Sequence, residues 1–281
     1  MTFEELIRSY SRPMTPIATP LQPKGSPTHS VKAVLFDVYG TLFISKAGDI
    51  GGARSEASLR LSEIDNLCKR FELSYSAEGL VERFFDSIEA EKLRLSESGI
   101  DYPEVVIEDI WERVTGIKDR RRIREIALEF ELIVNPVYPM PGLGEVLSTL
   151  KRRGVLMGII SNAQFYTPYL FSSYLGMALD EIGFSRDLIF FSYELGYVKP
   201  SIRSFSLAAE RLLDRGVEAK NTLYVGNDML KDVYPAKAVG FQAALFAGDA
   251  RSLKLREEDE RFRSVEPDII INDLKQLPDF V

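Results

Sequence analysis

Short apolar runs recur along most of the chain and predict the strands of a buried sheet. They are rich in branched and aromatic residues and occupy residues 31–37, 155–160, 188–191, 222–225, 243–246 and 268–271. Stretches with helical spacing of apolar residues separate most of them, at 142–153, 165–176, 201–215 and 230–239. Strands that alternate with helices predict an α/β fold, with a parallel sheet covered on both faces.

This alternation is interrupted after the first predicted strand. Residues 44–135 show no strand pattern, and four helices are predicted there, near 55–72, 76–98, 103–116 and 119–133. The proline-rich segment 135–142 marks the return to alternating strands and helices. We therefore predict an α-helical domain at 44–135, inserted into an α/β core that comprises 31–43 and 136–281.

The first 30 residues differ from both regions. Residues 2–10 predict a short helix in which Thr2 and Glu5 have the spacing of a capping box. Five prolines follow before residue 30, and proline fixes φ and lacks an N–H donor. Residues 1–30 are therefore interpreted as a proline-rich arm, which either packs on the body or stays mobile.

Composition narrows the classes of function. The chain has 281 residues and a net charge of −7, which argues against a nucleic-acid-binding or anionic-membrane surface. No apolar run is long enough to span a bilayer. The single cysteine, Cys68, has the pattern of a buried helical residue, and the single histidine, His29, lies in the arm. We expect a cytoplasmic protein that acts on a small molecule without a catalytic histidine.

Polar residues collect where the predicted strands end. They are Asp37, Gly40 and Thr41 after the first strand, Ser161 and Asn162 after the second, Lys199 after the third, and Asn227, Asp228 and Asp232 after the fourth. Ligands of open parallel sheets bind beyond the carboxyl ends of the strands. Each residue alone has an ordinary structural explanation, such as helix capping, but together they predict one crevice. The charged run at 254–263 is interpreted as solvated surface.

These residues stand in four motifs that resemble those of the haloacid dehalogenase superfamily. The motifs are "DVYGTL", "SN" after "LMGII", "KP" at 199–200 and "VGNDMLKDVYPAKAVG", and they occur in the family's order. The resemblance covers residues about 31–281, with 44–135 in the place of the family's helical cap. It implies a Rossmann-like core with a mobile lid.

The resemblance also implies roles for individual residues. Asp37 is the expected nucleophile, which forms a covalent ester or acyl phosphate, and Lys199 steadies it. Thr41, Ser161 and Asn162 are expected to bind the transferred group. The implied cofactor is Mg²⁺, with a site formed from Asp37, the Tyr39 carbonyl, Asn227, Asp228 and Asp232. Whether Asp228 or Asp232 contacts the metal directly stays open.

Tyr39 departs from the pattern of the family's phosphatases, which usually have a second aspartate there as the acid–base group. A tyrosine with a pKa near ~10 is a poor substitute, and acid–base help is worth roughly 10²–10⁴-fold in rate. A tyrosine at this position is instead typical of the family's 2-haloacid dehalogenases, because a halide leaves without a proton.

Other positions argue against a dehalogenase. Dehalogenases of this type work without metal and have a less acidic fourth motif. They also have a tyrosine six residues after the motif lysine, where this chain has Phe205. Arg54 or Arg60 could meet a substrate carboxylate.

The sequence thus predicts a Mg²⁺-dependent hydrolase of a small phosphorylated compound. A metal-independent 2-haloacid dehalogenase is the first alternative, and a binding or regulatory protein with weak catalysis is the second. The sequence predicts neither the substrate nor the oligomeric state.

Overall fold

The computed structural model describes residues 1–47, 50–259 and 265–281. The strands are β1 (Lys24–Gly25), β2 (Ala33–Phe36), β3 (Phe43–Ser45), β4 (Val137–Pro139), β5 (Leu156–Ser161), β6 (Phe184–Phe191), β7 (Thr222–Gly226), β8 (Gln242–Phe246) and β9 (Ile269–Ile271). The helices are α1 (Phe3–Tyr10), α2 (Ile50–Leu59), α3 (Leu61–Arg70), α4 (Ala77–Glu97), α5 (Ile107–Thr115), α6 (Arg120–Val134), α7 (Leu143–Arg152), α8 (Thr167–Leu175), α9 (Leu179–Ile182), α10 (Ser192–Leu195), α11 (Arg203–Asp214) and α12 (Tyr234–Ala238). Short 3₁₀ turns lie at Ala219–Asn221 and Leu274–Phe280, and a π-helical turn at Met229–Val233 precedes α12.

The central sheet has seven strands in the described part of the chain, in the order β1-β9-β8-β7-β2-β5-β6. Strand β2 lies inside it and pairs in parallel with β5 and β7, and only β1 runs antiparallel to its neighbour. Alternate residues of β2 enter different cores: Val34 and Phe36 on one face, Ala33 and Leu35 on the other. Burial on both faces explains the continuous apolar runs, and the α/β prediction is confirmed.

Five helices, α2 to α6, connect β3 and β4 in the described residues, where the sequence predicted four. The helix predicted at 55–72 is two helices, which meet at Arg60. Strands β3 and β4 were not predicted, and they form an antiparallel pair that brings the two ends of the insertion together. Residues 44 and 45 therefore lie in a strand, although the sequence predicted no strand within 44–135. Three-residue strands are too short to show a periodic pattern.

An aromatic cluster lies inside the insertion. The rings of Phe84, Trp111 and Phe130 lie with centroids 4.6 to 5.1 Å apart, and all three side chains are buried. These residues come from α4, α5 and α6, so the cluster holds three helices together. Cys68 on α3 is also buried, as the sequence predicted.

The amino-terminal arm packs on the body of the protein. The capping box of α1 is confirmed, since the Thr2 hydroxyl accepts from the Glu5 amide and the Glu5 carboxylate accepts from the Thr2 amide. On the buried face of α1, Leu6 and Ile7 join the core. Strand β1 then pairs with β9 at the edge of the sheet. His29 is exposed. Among the described residues, no helix has the length and apolar character needed to cross a bilayer.

Candidate active site

Asp37 lies directly after β2, and its carboxylate is held on one side only. Its backbone amide donates to the Val225 carbonyl on the neighbouring strand β7, at 2.9 Å. Its Oδ1 accepts from Ser161 Oγ at 2.9 Å and from Lys199 Nζ at 2.7 Å. The second oxygen, Oδ2, has no hydrogen bond with any residue that the structure describes. Asp37 lines a cavity of about 60 Å³, so one carboxylate oxygen is fixed and the other is available for chemistry.

Lys199 is the centre of a buried charge network. Its Nζ donates to Asp37 Oδ1, to Asp232 Oδ1 at 2.5 Å and to the Tyr224 hydroxyl at 3.0 Å. Burial by itself lowers the pKa of Lys199, but the charges of Asp232 and Asp37 outweigh burial, and the pKa lies above its ordinary value. The ammonium therefore stays charged at neutral pH and offsets the negative charge of two carboxylates.

Asp232 is fully engaged by the protein. Its Oδ2 accepts from the backbone amides of Asn227 and Asp228, both at 2.9 Å, while Oδ1 accepts from Lys199. Gly226 makes room for this carboxylate, because a Cβ there would lie 2.3 Å from Asp232 Cγ. Oδ1 also lies 3.1 Å from the Tyr224 hydroxyl. Burial raises the pKa of Asp232 to about 6, although the Lys199 ammonium opposes the rise, so the carboxylate is largely ionised at neutral pH.

Tyr224 belongs to this network, although the sequence did not identify it. Its hydroxyl donates to the Ile160 carbonyl at 2.8 Å and accepts from Lys199. Burial raises the pKa of Tyr224 well above its ordinary value. The one available signal was a tyrosine inside an apolar strand, since a buried tyrosine hydroxyl needs a hydrogen-bond partner.

Asp228 has a different environment. It caps the π-helical turn by accepting from the amides of Leu230 and Lys231, and Arg256 Nη2 donates to its Oδ2 at 2.7 Å. Arg256 lies in the charged run at 254–263, so interpreting all of that run as solvated surface was wrong for this residue. Residues 260–264 of the run lie outside the described residues. The long loop after β8 brings Arg256 to the site, and sequence spacing does not reveal this.

The three predicted substrate-binding residues have different surroundings. Asn162 lines the cavity, and its Oδ1 accepts from the Lys199 amide at 2.8 Å. Ser161 is buried and donates to Asp37. Thr41 is completely buried, and its hydroxyl donates to Asn227 Oδ1 at 3.2 Å. The turn before Thr41 requires glycine, because Gly40 has φ +83° and a Cβ there would lie 2.5 Å from Ser252 Cβ.

The Tyr39 side chain is turned to α8. Its hydroxyl lies 2.9 Å from Thr167 Oγ1. Burial raises the pKa of Tyr39 far above its ordinary value, and the nearby Glu131 raises it further. The hydroxyl therefore keeps its proton at neutral pH, and Tyr39 can serve neither as a base nor as an effective acid.

The oxygen atoms around the small cavity fit a magnesium ion. Asp37, Tyr39, Asn227 and Asp228 all line it, and the Tyr39 carbonyl has no hydrogen bond within the described ranges. The described residues contain no group of three or more His, Cys, Asp or Glu arranged to hold a metal, so carbonyl and amide oxygens would have to contribute. Mg²⁺ accepts such oxygens and usually keeps several waters.

Charge supports the same fit. Three aspartates and three lysines line the small cavity. Arg256, which pairs with Asp228, adds one more positive charge. A phosphate dianion that enters the site still adds uncompensated negative charge, and a divalent cation would offset it.

The structure also shows the surroundings of the residues that bear on a dehalogenase activity. Arg54 pairs with Asp86 and Glu89, and neither Arg54 nor Arg60 lines the cavities beside Asp37. Phe205 is fully buried and packs on Tyr224, with ring centroids 4.8 Å apart. Tyr224 thus supplies Lys199 with a hydroxyl that Phe205 lacks.

Residues 31–240 match the family described as haloacid dehalogenase-like hydrolase, and the chain belongs to this family of hydrolases. Among curated proteins, it is 25% identical over 253 residues to a glyceraldehyde 3-phosphate phosphatase of Methanocaldococcus jannaschii, covering 89% of this chain and 97% of that protein. It is 30% identical over 144 residues to a ribulose-1,5-bisphosphate 5-phosphatase of Halopiger xanaduensis, covering 50% of this chain and 56% of that protein. The chain thus spans about half the length of this second relative.

Solved structures with the same fold include both of the enzyme types considered above. A 2-haloacid dehalogenase from Pseudomonas syringae pv. tomato has 22% identity and a TM-score of 0.55, and a HAD phosphatase from Thermococcus onnurineus has 23% identity and a TM-score of 0.54. Each match covers 89% of this chain and 97% of the other. At this level of identity the structures define the fold but do not choose between the two reactions.

Proposed function

We propose that this hydrolase is a Mg²⁺-dependent phosphatase that acts on a small phosphorylated compound through an aspartyl-phosphate intermediate. The observation that carries the proposal is the half-held carboxylate of Asp37, with Oδ1 fixed by Ser161 and Lys199 and Oδ2 available at the cavity. The two phosphatases among the curated relatives support the same reaction.

The nucleophile in this scheme is Asp37. Oδ2 attacks phosphorus, and the bond from phosphorus to the leaving oxygen breaks. Lys199 keeps the carboxylate in place and offsets charge that develops on the transferred group. Water then attacks phosphorus in the intermediate, which releases inorganic phosphate and restores Asp37.

Magnesium would be held by Asp37, the Tyr39 carbonyl and Asn227, with Asp228 beside them, and would supply charge stabilisation for the phosphoryl oxygens. We assign Asp232 a positioning role, because its oxygens already accept from Lys199 and from two backbone amides.

We also propose that the helical insertion, residues about 44–135, serves as the cap of this site. A cavity of about 630 Å³ lies between the insertion and the α/β core, and it shares Tyr39, Asn162, Lys199 and Lys231 with the small cavity. A substrate in the large cavity would therefore have its reacting end at Asp37.

A 2-haloacid dehalogenase is the second candidate, and Tyr39 is the observation that favours it. A reaction at Asp37 that expels a halide needs no proton donor, and Tyr39 supplies none. The carboxylates Asp228 and Asp232 have cationic partners in Arg256 and Lys199, so they do not themselves demand a metal.

A screen of phosphate esters and 2-haloacids, each with Mg²⁺ and with EDTA, tests the proposal. We expect phosphate release that requires Mg²⁺ and no halide release. Chloride release from 2-chloropropionate in the presence of EDTA would instead establish the dehalogenase. Failure to turn over any compound of either class would favour a binding or regulatory role.

A further inference from the structure

The insertion presents a predominantly apolar wall to the large cavity. Phe84, Phe85 and Ile88 on α4 line it, together with Phe130 and Val134 on α6. Its volume of about 630 Å³ lies in the usual range of about 300–1,000 Å³ for small-molecule sites. The site can therefore accept a leaving group much larger than a three-carbon chain.

This apolar wall is preformed. Phe84 packs on Trp111 and on Phe130, with ring centroids 4.6 and 4.8 Å apart, so the lining rings are fixed by the aromatic cluster of the insertion. A rigid aromatic wall binds a flat apolar group without first having to order its own side chains.

The acidic side chains that the insertion contributes to the cavity, Glu104 and Glu131, already accept hydrogen bonds from the protein. The Glu104 carboxylate accepts from Ser192 Oγ at 2.6 Å and from the Val105 amide, and the Glu131 carboxylate accepts from Asn135 Nδ2 at 2.9 Å. Lys92 has no hydrogen bond or ion pair with any residue of the described ranges, and it lines the cavity. Its ammonium favours a leaving group that departs as an anion.

The reacting end of the cavity imposes a second requirement. Tyr39 occupies the position from which a carboxylic acid would protonate the leaving oxygen, and its hydroxyl bonds to Thr167. A leaving group at this site must therefore depart without a proton from that residue. A phenol, with a pKa near ~10, meets this requirement far better than an aliphatic alcohol.

From these two features we infer that the substrate class is aryl phosphate monoesters, with the aromatic group in the large cavity and the phosphate at Asp37. This inference rests on the proposed phosphatase function. Asp37 attacks phosphorus, and the phosphorus–aryl oxygen bond breaks with its electron pair on the aryl oxygen. The phenolate leaves and takes a proton from water. A second water hydrolyses the aspartyl phosphate, and its proton passes to solvent.

The first test compares three phosphates with wild-type protein and Mg²⁺: 2-naphthyl phosphate, phenyl phosphate and glyceraldehyde 3-phosphate. We expect kcat/KM for 2-naphthyl phosphate to exceed that for phenyl phosphate about tenfold, because the second ring buries further apolar surface. Glyceraldehyde 3-phosphate should be the poorest substrate. If it is hydrolysed faster than 2-naphthyl phosphate, the inference is wrong.

The second test fills the cavity. Ala53 on α2 lines it and is only partly buried, so Ala53→Phe adds bulk to the cavity wall. Acetyl phosphate serves as the small reference substrate, because its leaving group also needs no proton. We expect the ratio of kcat/KM for 2-naphthyl phosphate over acetyl phosphate to fall about tenfold in Ala53→Phe.

The matched control is Ala178→Phe, an exposed position that lines neither cavity beside Asp37, and it should leave the ratio unchanged. An unchanged ratio in Ala53→Phe, or no preference for naphthyl over phenyl, contradicts the aryl inference alone. If acetyl phosphate is also not hydrolysed, the proposed phosphatase function itself fails.

Discussion

The two walls of the candidate site differ in polarity and in the volume of the cavity beside them. We call the strand ends around Asp37, Lys199, Asp228 and Asp232 the floor, and the cavity-lining faces of α4 and α6 the roof. On the floor almost every polar atom has a designated partner, and the open space is about 60 Å³. The roof is mostly apolar and encloses about 630 Å³ with the core. We infer that the floor determines which reaction can take place and that the roof determines which molecules can bind.

The largest effect should follow from a change to the floor that leaves its shape intact. Asp37→Asn keeps the side-chain volume but removes the carboxylate that we propose as the nucleophile, so turnover should fall by about 10⁴-fold or more. Steady-state phosphate release measures it. Because binding in the roof should survive, KM or the dissociation constant of a product phenol should change little. Residual activity within a few-fold of wild type would rule out the covalent mechanism.

The second prediction compares Asp228 and Asp232, the two carboxylates of the fourth motif, by their contribution to stability. Asp232→Asn removes one of the two buried negative charges that offset the charge of Lys199, and the free energy of unfolding should fall by about 3 kcal/mol. Asp228→Asn breaks a pair with the partly exposed Arg256, and the loss should be about 1 kcal/mol. Urea unfolding measures both.

Calorimetric titration with Mg²⁺ measures metal binding by the same two variants. We expect Asp228→Asn to weaken Mg²⁺ binding more than Asp232→Asn does, since Asp228 Oδ2 accepts from the partly exposed Arg256 side chain, whereas both oxygens of Asp232 accept from buried donors. The reverse order would make Asp232 the metal ligand.

The third effect concerns the point where floor and roof meet. Tyr39→Asp should supply the absent proton donor without moving the carbonyl of residue 39. It should raise turnover of an alkyl phosphate by up to about 10²-fold, and that of 4-nitrophenyl phosphate less. The new carboxylate also adds repulsion beside Asp37, which limits the gain. If the wild type already hydrolyses alkyl and aryl phosphates equally fast, another residue donates the proton.

The smallest effect is a pH dependence that originates at Glu104, which precedes α5 and lines the large cavity beside the roof. Burial raises the pKa of Glu104 above its ordinary value of 4.5. A carboxyl group with a raised folded-state pKa contributes stability below its unfolded pKa and loses it as pH rises through the folded-state value. Glu104→Gln should therefore be more stable relative to wild type at pH 8 than at pH 4. Thermal unfolding at both pH values measures this difference, and equal shifts would contradict it.

More of the floor than of the roof could be predicted from the sequence. A parallel sheet places all its strand ends at one edge, so Asp37, Ser161, Lys199 and Asp232 could be grouped without any coordinates. Tyr224 and Arg256 could not be grouped in this way. Tyr224 looks like an apolar strand residue, and Arg256 reaches Asp228 through a loop whose path the local pattern does not encode.

The roof depends on how helices pack. Helical spacing predicted α4 and α6, but it does not state which apolar residues meet each other and which line a cavity. Phe84 and Val81 lie on the same helix with the same pattern, yet only Phe84 lines the cavity. The short strands β1, β3 and β4 were missed for a related reason: their pairing is set by distant partners and not by their own two or three residues.

The amino-terminal helix α1 adds a mechanical condition to any movement of the insertion. It touches α6 of the insertion, where the Tyr10 hydroxyl donates to Glu129 Oε1 at 2.6 Å, and also α8 of the core, where Ser172 Oγ donates to Glu4 at 3.1 Å. A rotation of the insertion must therefore either carry α1 across α8 or release Glu129. If the insertion moves as a lid, its hinge would consequently not be confined to the two connections at β3 and β4. Helix α1 would be a third attachment point, far from these connections in sequence. A fusion or a cleavage near residue 10 would therefore change the energy needed to move the insertion away from the core.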